Sequence, residues 1–235
     1  HVETSAGVIL PDEYLKAISK ASHDVGALFI LDCIASGCAW VDMQATGVDI
    51  LISAPQKGWS STPSAGVVIM SNRAVEVVES SNSNSFAIDL KKWYSIMKTY
   101  ESGGHAYHTT MPTDSLCHFR DTMLETKEYG FDRLCQNQWE LGNGVRRMLQ
   151  GKGIKSVAAE GFQAPGVIVS YTNDAMIQSG AKFRDLGIQI AAGVPLMCDE
   201  PKDFSTFRIG LFGLDKLYNT EHSLEKLQKA FDEVF

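Results

Sequence analysis

Residues 48–57 read Val-Asp-Ile-Leu-Ile-Ser-Ala-Pro-Gln-Lys, an apolar run that ends in a polar segment and a lysine. The earlier run 27–31, Ala-Leu-Phe-Ile-Leu, ends at Asp32. Short, wholly apolar runs are typical of strands that are buried on both faces of a sheet. A third run lies at 66–70, and helical patterns at 11–23 and 72–79 flank the three runs. This alternation predicts an α/β fold with a mostly parallel sheet covered by helices on both sides.

The rest of the chain continues the alternation in a second, smaller region. Helical patterns follow a polar loop at 82–86 and are predicted over 90–101, 113–128 and 131–149. Strands are then predicted at 166–171, 188–191 and 207–211, and helices over 174–186 and from Thr220 onwards. We place a domain boundary near Gly130, so that residues 1–130 form the C-terminal part of a large domain and 131–235 form a small C-terminal α+β domain.

Composition excludes several classes of partner. The formal charge of −7 and the lack of a basic run argue against nucleic acid and against an anionic membrane surface. No apolar run reaches the roughly 20 residues of a membrane-spanning helix. The five cysteines are scattered, odd in number and contain no CxxC pair. This usage predicts free thiols in a reducing compartment, so we expect a cytoplasmic protein.

Asp32 and Lys57 stand at the same kind of position in two neighbouring runs. Asp32 follows one predicted strand directly, and Lys57 follows the next by a few residues. Functional groups of open α/β sheets collect at the carboxyl ends of the strands. An acid and a lysine at this edge fit either a functional pair or a structural ion pair, because buried pairs also occur for architecture alone.

Five segments together carry a more specific signal. They are His-Val-Glu-Thr-Ser-Ala-Gly at 1–7, Leu-Asp-Cys-Ile-Ala-Ser at 31–36, Ser-Ala-Pro-Gln-Lys at 53–57, Tyr-His-Thr-Thr-Met-Pro at 107–112 and Phe-Arg-Ile-Gly-Leu at 207–211. In this order they resemble the class V aminotransferases that depend on pyridoxal 5′-phosphate (PLP), and among them the alanine–glyoxylate and serine–pyruvate aminotransferases. The resemblance spans essentially the whole chain and implies the PLP-dependent transferase fold, fold type I.

The resemblance implies roles around the cofactor. It assigns Lys57 as the lysine that forms the Schiff base with PLP, since only a primary amine makes this bond and the freed amine then moves the substrate proton. It assigns Asp32 as the partner of the pyridinium nitrogen, which a carboxylate keeps protonated. Gln56 would donate a hydrogen bond to the phenolic oxygen of the ring. Thr4 would place its hydroxyl near the same edge, although a turn-capping hydroxyl is the alternative.

Four further positions are implied with an alternative beside each. Ile34 would pack against the ring face, or it is plain core. Arg208 would clamp the substrate α-carboxylate with two parallel hydrogen bonds, or it forms a structural salt bridge. Tyr107 and Thr110 would reach the cofactor phosphate of the neighbouring subunit, or they belong to a polar loop. The first interpretation of this pair implies a homodimer with a composite active site.

The function that the resemblance implies is a ping-pong transamination. An amino group moves from a small amino acid, alanine or serine, to a 2-oxo acid, glyoxylate or pyruvate. The alternatives are another class V enzyme, such as a cysteine desulfurase or a lyase, or a non-catalytic fragment. A desulfurase needs a mobile nucleophilic cysteine, and none of the five lies in an obviously flexible loop of the sequence. We expect no metal site, because His105 and His108 lack a third ligand cluster.

The sequence departs from the family in two respects. Family members are longer and begin with a segment that supplies a glycine-containing phosphate turn and an aromatic residue on the cofactor ring. We therefore expect that the 235-residue chain alone lacks normal transaminase activity and exposes a sheet edge. The segment 60–66 after the lysine also differs from that of many relatives, so the identities of the amino donor and acceptor stay open.

Overall fold

The computed structural model describes every residue from His1 to Phe235, in eight strands and ten helices. The elements before residue 112 are β1 (Val2–Glu3), β2 (Val8–Ile9), α1 (Asp12–Asp24), β3 (Ile30–Asp32), α2 (Met43–Thr46), β4 (Ile50–Ser53), β5 (Val67–Met70), α3 (Asn72–Ser80) and α4 (Leu90–Glu101). The later elements are α5 (Thr113–Tyr129), α6 (Phe131–Gly151), β6 (Val167–Tyr171), α7 (Ala175–Gln178), α8 (Ala181–Asp185), β7 (Ala191–Ala192), β8 (Thr206–Gly210), α9 (Leu214–Leu217) and α10 (Thr220–Val234). None of the helices combines the length and the apolar character that crossing a bilayer requires.

The sheet of the N-terminal part positions the two main site residues. Asp32 is the last residue of β3, and Lys57 follows β4. The strand order of this sheet is β3-β4-β5. β3 and β4 are parallel, with Asp32 opposite Ile52, whereas β5 runs antiparallel to β4. The α/β architecture is therefore as predicted, and one of the two strand pairings in this sheet is parallel. Because β3 and β4 run in the same direction, their carboxyl ends open onto the same edge of the sheet.

The expectation that all three strands are buried on both faces is wrong. Ile50 and Leu51 of β4 are buried, but Ile30 of β3 is 54% exposed and Ile69 of β5 is 45% exposed. β3 and β5 are the two edges of this sheet, so each has a neighbouring strand on one side only. An apolar run predicts a strand, but it does not specify how many strands or helices will cover it.

Helix α1 covers the sheet and begins where its sequence favours a helix start. Pro11 precedes the helix with a φ of −72°, and Asp12 and Glu13 occupy the first turn. Proline suits the opening of a helix, and acidic residues there interact favourably with the helix dipole. Leu15 is fully buried and belongs to the apolar cluster that also contains Leu31.

The second sheet has the order β6-β8-β7 and is wholly antiparallel. Helices α6 and α10 pack together beside it and share its core cluster. Phe183, Phe207 and Phe231 are fully buried there, with the rings of Phe183 and Phe207 stacked at 6.1 Å between centroids. Burying each of these rings stabilises the fold by about 1.5–3 kcal/mol, so the core fixes the position of β8.

Some predicted elements differ from those of the structure. The helix expected over 174–186 is divided into α7 and α8, because Gly180 adopts a left-handed conformation with φ 75°. The strand expected at 188–191 lies later in the chain, because β7 contains only Ala191 and Ala192. The β1–β2 hairpin and the helices α2 and α9 were not predicted, because elements of two to four residues are too short to show a periodic pattern.

The domain boundary near Gly130 stays a prediction. Gly130 separates α5 from α6 and has a φ of 105°, a conformation that favours glycine. Residues from both sides of this position nevertheless pack together. Cys38 lies in the same core cluster as Leu134, and the Trp40 Nε1 donates a hydrogen bond of 3.0 Å to the Phe131 carbonyl oxygen.

Candidate active site

A cavity of about 480 Å³ opens at the carboxyl ends of β3 and β4. This volume lies in the range of about 300–1,000 Å³ that small-molecule sites occupy. Its walls come from the β1–β2 hairpin, from the segment after β3 and from the lysine loop. Four residues that the sequence predicts for one site line it together: Thr4, Asp32, Ile34 and Lys57.

Asp32 is the last residue of β3, and its side chain is exposed at the cavity. Its Oδ1 accepts a hydrogen bond of 2.8 Å from the backbone N–H of Ile34. The next residue, Cys33, donates its backbone N–H to the Ile52 carbonyl oxygen at 2.7 Å. The pairing with β4 and the turn at Ile34 therefore fix both the backbone and the carboxylate of Asp32 at the sheet edge.

Lys57 lies in a tight turn after β4. Its carbonyl oxygen accepts from the Ser60 N–H at 3.1 Å, and the Ser61 N–H donates to the Pro55 carbonyl oxygen at 2.9 Å. The turn is also anchored by Trp59, which donates to the Ser53 hydroxyl at 3.2 Å. The lysine is half-buried, and its Nζ points along the face of the Phe212 ring, 5.7 Å from the ring centroid.

The aromatic neighbours of Trp59 hold the lysine turn against the rest of the molecule. The Trp59 ring lies 5.1 Å from that of Trp40, between centroids, and 6.0 Å from that of Phe119. Phe131 completes the cluster with an edge-on contact to Trp40 at 5.4 Å. Tilted and edge-on aromatic pairs at these distances are favourable, each by about 0.5–1.5 kcal/mol beyond the area buried.

Arg208 lies on β8 and reaches the hairpin that lines the cavity. Its Nε donates to the Ala192 carbonyl oxygen at 2.8 Å, and its Nη1 donates to the Thr4 carbonyl oxygen at 3.5 Å. No carboxylate forms a salt bridge with this guanidinium, so the alternative of a structural salt bridge has no support in the structure. The arginine stands beside the cavity rather than in its wall.

The hairpin turn that carries Thr4 is capped by a different residue. The carboxylate of Glu3 accepts from the backbone N–H groups of Ser5 and Ala6, both at 2.7 Å. Burial acts to raise the pKa of Glu3, but the hydrogen bonds from Ser5 and Ala6, together with the charge of Arg208, outweigh it and lower the pKa below its ordinary value. The Thr4 side chain is thus not needed as the cap of this turn.

Besides Arg208, three further predicted residues do not line the cavity. Gln56 precedes Lys57 in the turn but is exposed. Tyr107 and Thr110 lie in the segment between α4 and α5, where the tyrosine is 73% exposed and its hydroxyl is 3.4 Å from that of Thr110. Their roles stay predictions, because the hydroxyl pair lies on the surface of the chain and does not line the cavity of Asp32 and Lys57.

The residues that support the site from behind were not predicted from the sequence. Phe212 contacts Lys57, and Gly58 meets Gly37 backbone to backbone, since a Cβ atom at Gly58 would lie 2.9 Å from the Gly37 Cα. A glycine directly after the proposed cofactor lysine was the one available signal, because glycine often marks a close backbone approach.

Comparison with known proteins places the fold in a class. No family model matches the chain. The solved alanine–glyoxylate aminotransferase of Nostoc sp. superposes on 100% of the chain with a TM-score of 0.80 at 22% identity, and the match covers 60% of that structure. The fold is therefore that of the fold type I PLP-dependent transferases, as predicted.

Two relatives by sequence define the resemblance further. The alanine–glyoxylate aminotransferase of Felis catus is 25% identical over 97% of the chain, and the 2-aminoethylphosphonate–pyruvate transaminase of Syntrophobacter fumaroxidans is 28% identical over 91%. The predicted resemblance to class V PLP-dependent aminotransferases is confirmed. The chain spans about half the length of these relatives, 55% and 56% respectively.

Proposed function

We propose that the native protein that carries these residues is a PLP-dependent aminotransferase. It moves an amino group from a small amino acid, alanine or serine, to a 2-oxo acid, glyoxylate or pyruvate, by a ping-pong mechanism. The observation that carries this proposal is one cavity whose wall presents the Lys57 amine and the Asp32 carboxylate together. The similarity to named aminotransferases supports the class of reaction.

The groups in the cavity wall fit the chemistry of PLP. Lys57 supplies a primary amine for the PLP aldehyde, and Asp32 supplies a carboxylate for the ring nitrogen. Ile34 supplies an apolar contact for the ring. Thr4 and Gln56 are the proposed hydrogen-bond partners of the phenolic edge. When bound, PLP supplies an electron sink that stabilises the negative charge left at the substrate Cα.

Lys57 and Asp32 divide the proton chemistry between them. The Lys57 amine would hold the cofactor covalently and, when free, would take the proton from the substrate Cα and deliver it to the cofactor carbon. The Asp32 carboxylate would keep a proton on the ring nitrogen, because a nearby negative charge favours the protonated, charged form. The fixed turn at Lys57 and the Ile34 hydrogen bond to Asp32 keep both groups oriented.

Arg208 orients the substrate carboxylate. Its Nε and Nη1 are directed to backbone carbonyl oxygens of β7 and of the hairpin, which hold the guanidinium beside the cavity and leave its Nη2 without a partner in the chain. A planar guanidinium held in this way suits a carboxylate, which it binds through charge-assisted hydrogen bonds.

The active site is composite and the protein is a homodimer in this proposal. Tyr107 and Thr110 would donate their hydroxyls to the cofactor phosphate of the neighbouring subunit. Their surface exposure and mutual distance of 3.4 Å support this role, since both hydroxyls are available on one side of the chain. The compartment is proposed to be the cytoplasm, which the five free cysteines support.

The desulfurase alternative depends on a nucleophilic cysteine. Cys198 is exposed in the loop between β7 and β8, but Glu200 ties this loop down by accepting from the backbone N–H groups of Leu196, Met197 and Cys198 at 2.7–3.0 Å. A loop held in this way favours transamination over a reaction that needs a mobile thiol. A lyase and a non-catalytic subunit stay as outcomes of the experiment.

The test is a half-reaction of the native protein with PLP and alanine, without an acceptor. We expect about one pyruvate per active site, and further turnover only after glyoxylate is added. Lys57→Ala abolishes the half-reaction. Asp32→Asn keeps covalent cofactor attachment but slows the half-reaction by about 100-fold or more. Release of sulfide from cysteine, or pyruvate formation that is independent of Lys57, would contradict the proposal.

A further inference from the structure

Phe212 lies where the C-terminal sheet meets the lysine turn. It follows β8 and stands four residues after Arg208. Its ring centroid is 5.7 Å from the Lys57 Nζ, inside the limit of about 6 Å at which an ammonium is attracted to the face of an aromatic ring. The ring is the aromatic partner of the amine on which the proposed function depends.

Two glycines make room for this ring. A Cβ atom on Gly166 would lie 2.8 Å from the Phe212 Cε1, and one on Gly37 would lie 3.3 Å from two atoms of the same ring. Gly37 belongs to the segment after β3, and Gly166 precedes β6. The ring therefore fits closely between two parts of the backbone that are distant in sequence, and its position is set by them.

The backbone beside Phe212 is secured as well. The fully buried Gln138 of α6 donates its amide to the Leu211 and Pro165 carbonyl oxygens, at 3.4 and 3.3 Å. The N–H of Leu214 donates to the Ser60 hydroxyl at 2.7 Å. The segment 211–214 thus connects the strand of Arg208 to the lysine turn in two ways. One is the hydrogen bond from Leu214 to Ser60, and the other is the contact between the Phe212 ring and Lys57.

We propose that Phe212 is a positioning residue for Lys57: its ring face binds the ammonium form of the lysine whenever the amine is not joined to the cofactor. The part of this proposal that concerns catalysis rests on the proposed function. Once the released lysine has taken the substrate proton, the ring keeps the resulting ammonium at the cavity, where it delivers that proton. A side chain of similar volume without a π face does not supply this interaction.

The test replaces Phe212 of the native protein by phenylalanines that carry one, two or three fluorine atoms on the ring. Fluorine withdraws charge from the ring face and leaves the shape of the side chain nearly unchanged, so packing is preserved while the attraction to a cation weakens. Cofactor-free protein is labelled briefly with acetic anhydride, and acetylation of Lys57 is measured by peptide mass relative to the exposed Lys16 of the same sample.

We expect the relative labelling of Lys57 to rise in steps along the fluorine series, by about 2- to 30-fold in total, because a ring that attracts the cation less holds the lysine less tightly and leaves it more open to the reagent. Phe212→Leu shows the same rise and Phe212→Tyr does not.

In the holoenzyme kcat falls along the series while the KM for alanine is unchanged. Labelling that is equal in all variants overturns the ring–ammonium contact, and graded labelling with constant kcat overturns its role in the reaction. The labelling needs no cofactor, so it does not depend on whether the aminotransferase proposal succeeds.

Discussion

Gly58 and Gly37 meet through their backbones: a Cβ atom at Gly58 would lie 2.9 Å from the Gly37 Cα and would overlap the Gly37 carbonyl group. This contact presses the turn of Lys57 against the segment that follows Asp32. The two groups of the proposed active site are therefore held together from behind, by atoms that take no part in the chemistry.

The first prediction concerns this contact. Gly58→Ala forces the two backbones apart, which destabilises the native protein by about 1–3 kcal/mol and lowers the yield of covalently bound PLP. Gly66→Ala is the matched control in the same loop, because a Cβ there has no neighbour within 4 Å and the φ of Gly66 is not positive. Thermal unfolding and cofactor content provide the measurements. Equal effects of the two substitutions would count against the contact.

The second prediction concerns Asp49, a buried carboxylate on the sheet side of α1. It accepts from the His23 Nε2 at 2.8 Å, from the Phe29 N–H at 2.8 Å and from the Arg73 Nη1 at 2.9 Å. Asp49→Asn leaves these donors partly unpaired and should cost about 3 kcal/mol of unfolding free energy in denaturant titration. Asp24→Asn on α1, which removes an exposed pair with Lys20, should cost less than about 0.5 kcal/mol.

The same carboxylate makes stability depend on pH in acid. Burial acts to raise the pKa of Asp49, but the hydrogen bonds from Phe29 and His23 and the charges of His23 and Arg73 outweigh it and lower the pKa below 3.8. An acid whose pKa is lowered by folding stabilises the folded state above its ordinary pKa, and this contribution is lost as the pH falls through the folded value. The wild type should therefore lose more stability than Asp49→Asn between about pH 4 and pH 2. Parallel stability curves for the two proteins would refute the prediction.

The third prediction concerns Arg146, a buried guanidinium on α6. Its Nη2 donates to the Ala164 carbonyl oxygen, but its Nε and Nη1 have no partner, and burial lowers its pKa to about 10. Arg146→Met removes a charge that is poorly compensated and keeps the apolar length of the side chain. We expect the unfolding free energy to rise by about 1 kcal/mol. The exposed neighbour Arg147, changed to Met, should leave it unaltered, and a loss of stability in Arg146→Met alone would show that the guanidinium has a partner elsewhere.

The fourth prediction concerns the loop that leads into the strand of Arg208. The backbone N–H groups of Cys198, Met197, Glu200 itself and Leu196 lower the pKa of Glu200 to about 2, so its carboxylate orders residues 196–198 at neutral pH. Glu200→Gln weakens these hydrogen bonds, and amide hydrogen exchange at the three positions should accelerate several-fold. The exposed Glu160, changed to Gln, is the control. Unchanged exchange would mean that the loop is ordered by other contacts.

The sequence was sufficient to predict the position of a site residue where that residue directly follows a strand. Asp32 and Lys57 were predicted at one sheet edge because parallel strands end on the same side, and the structure places both in one cavity. The sequence was insufficient where packing between distant segments determines the position of a residue. Phe212 lies 155 residues after Lys57, and the edge position of Ile30 depends on how many strands the sheet contains. Neither relationship leaves a periodic or local pattern.

Locating the covalent bond between cofactor and protein tests the role of Lys57 without any assay of turnover. The native protein is incubated with PLP and reduced with borohydride, and the modified peptide is identified by mass. We expect the adduct on Lys57, its loss in Lys57→Arg, and its retention in Asp32→Asn. An adduct distributed over exposed lysines, or one that persists at the same yield in Lys57→Arg, would show that Lys57 is not the lysine that binds PLP.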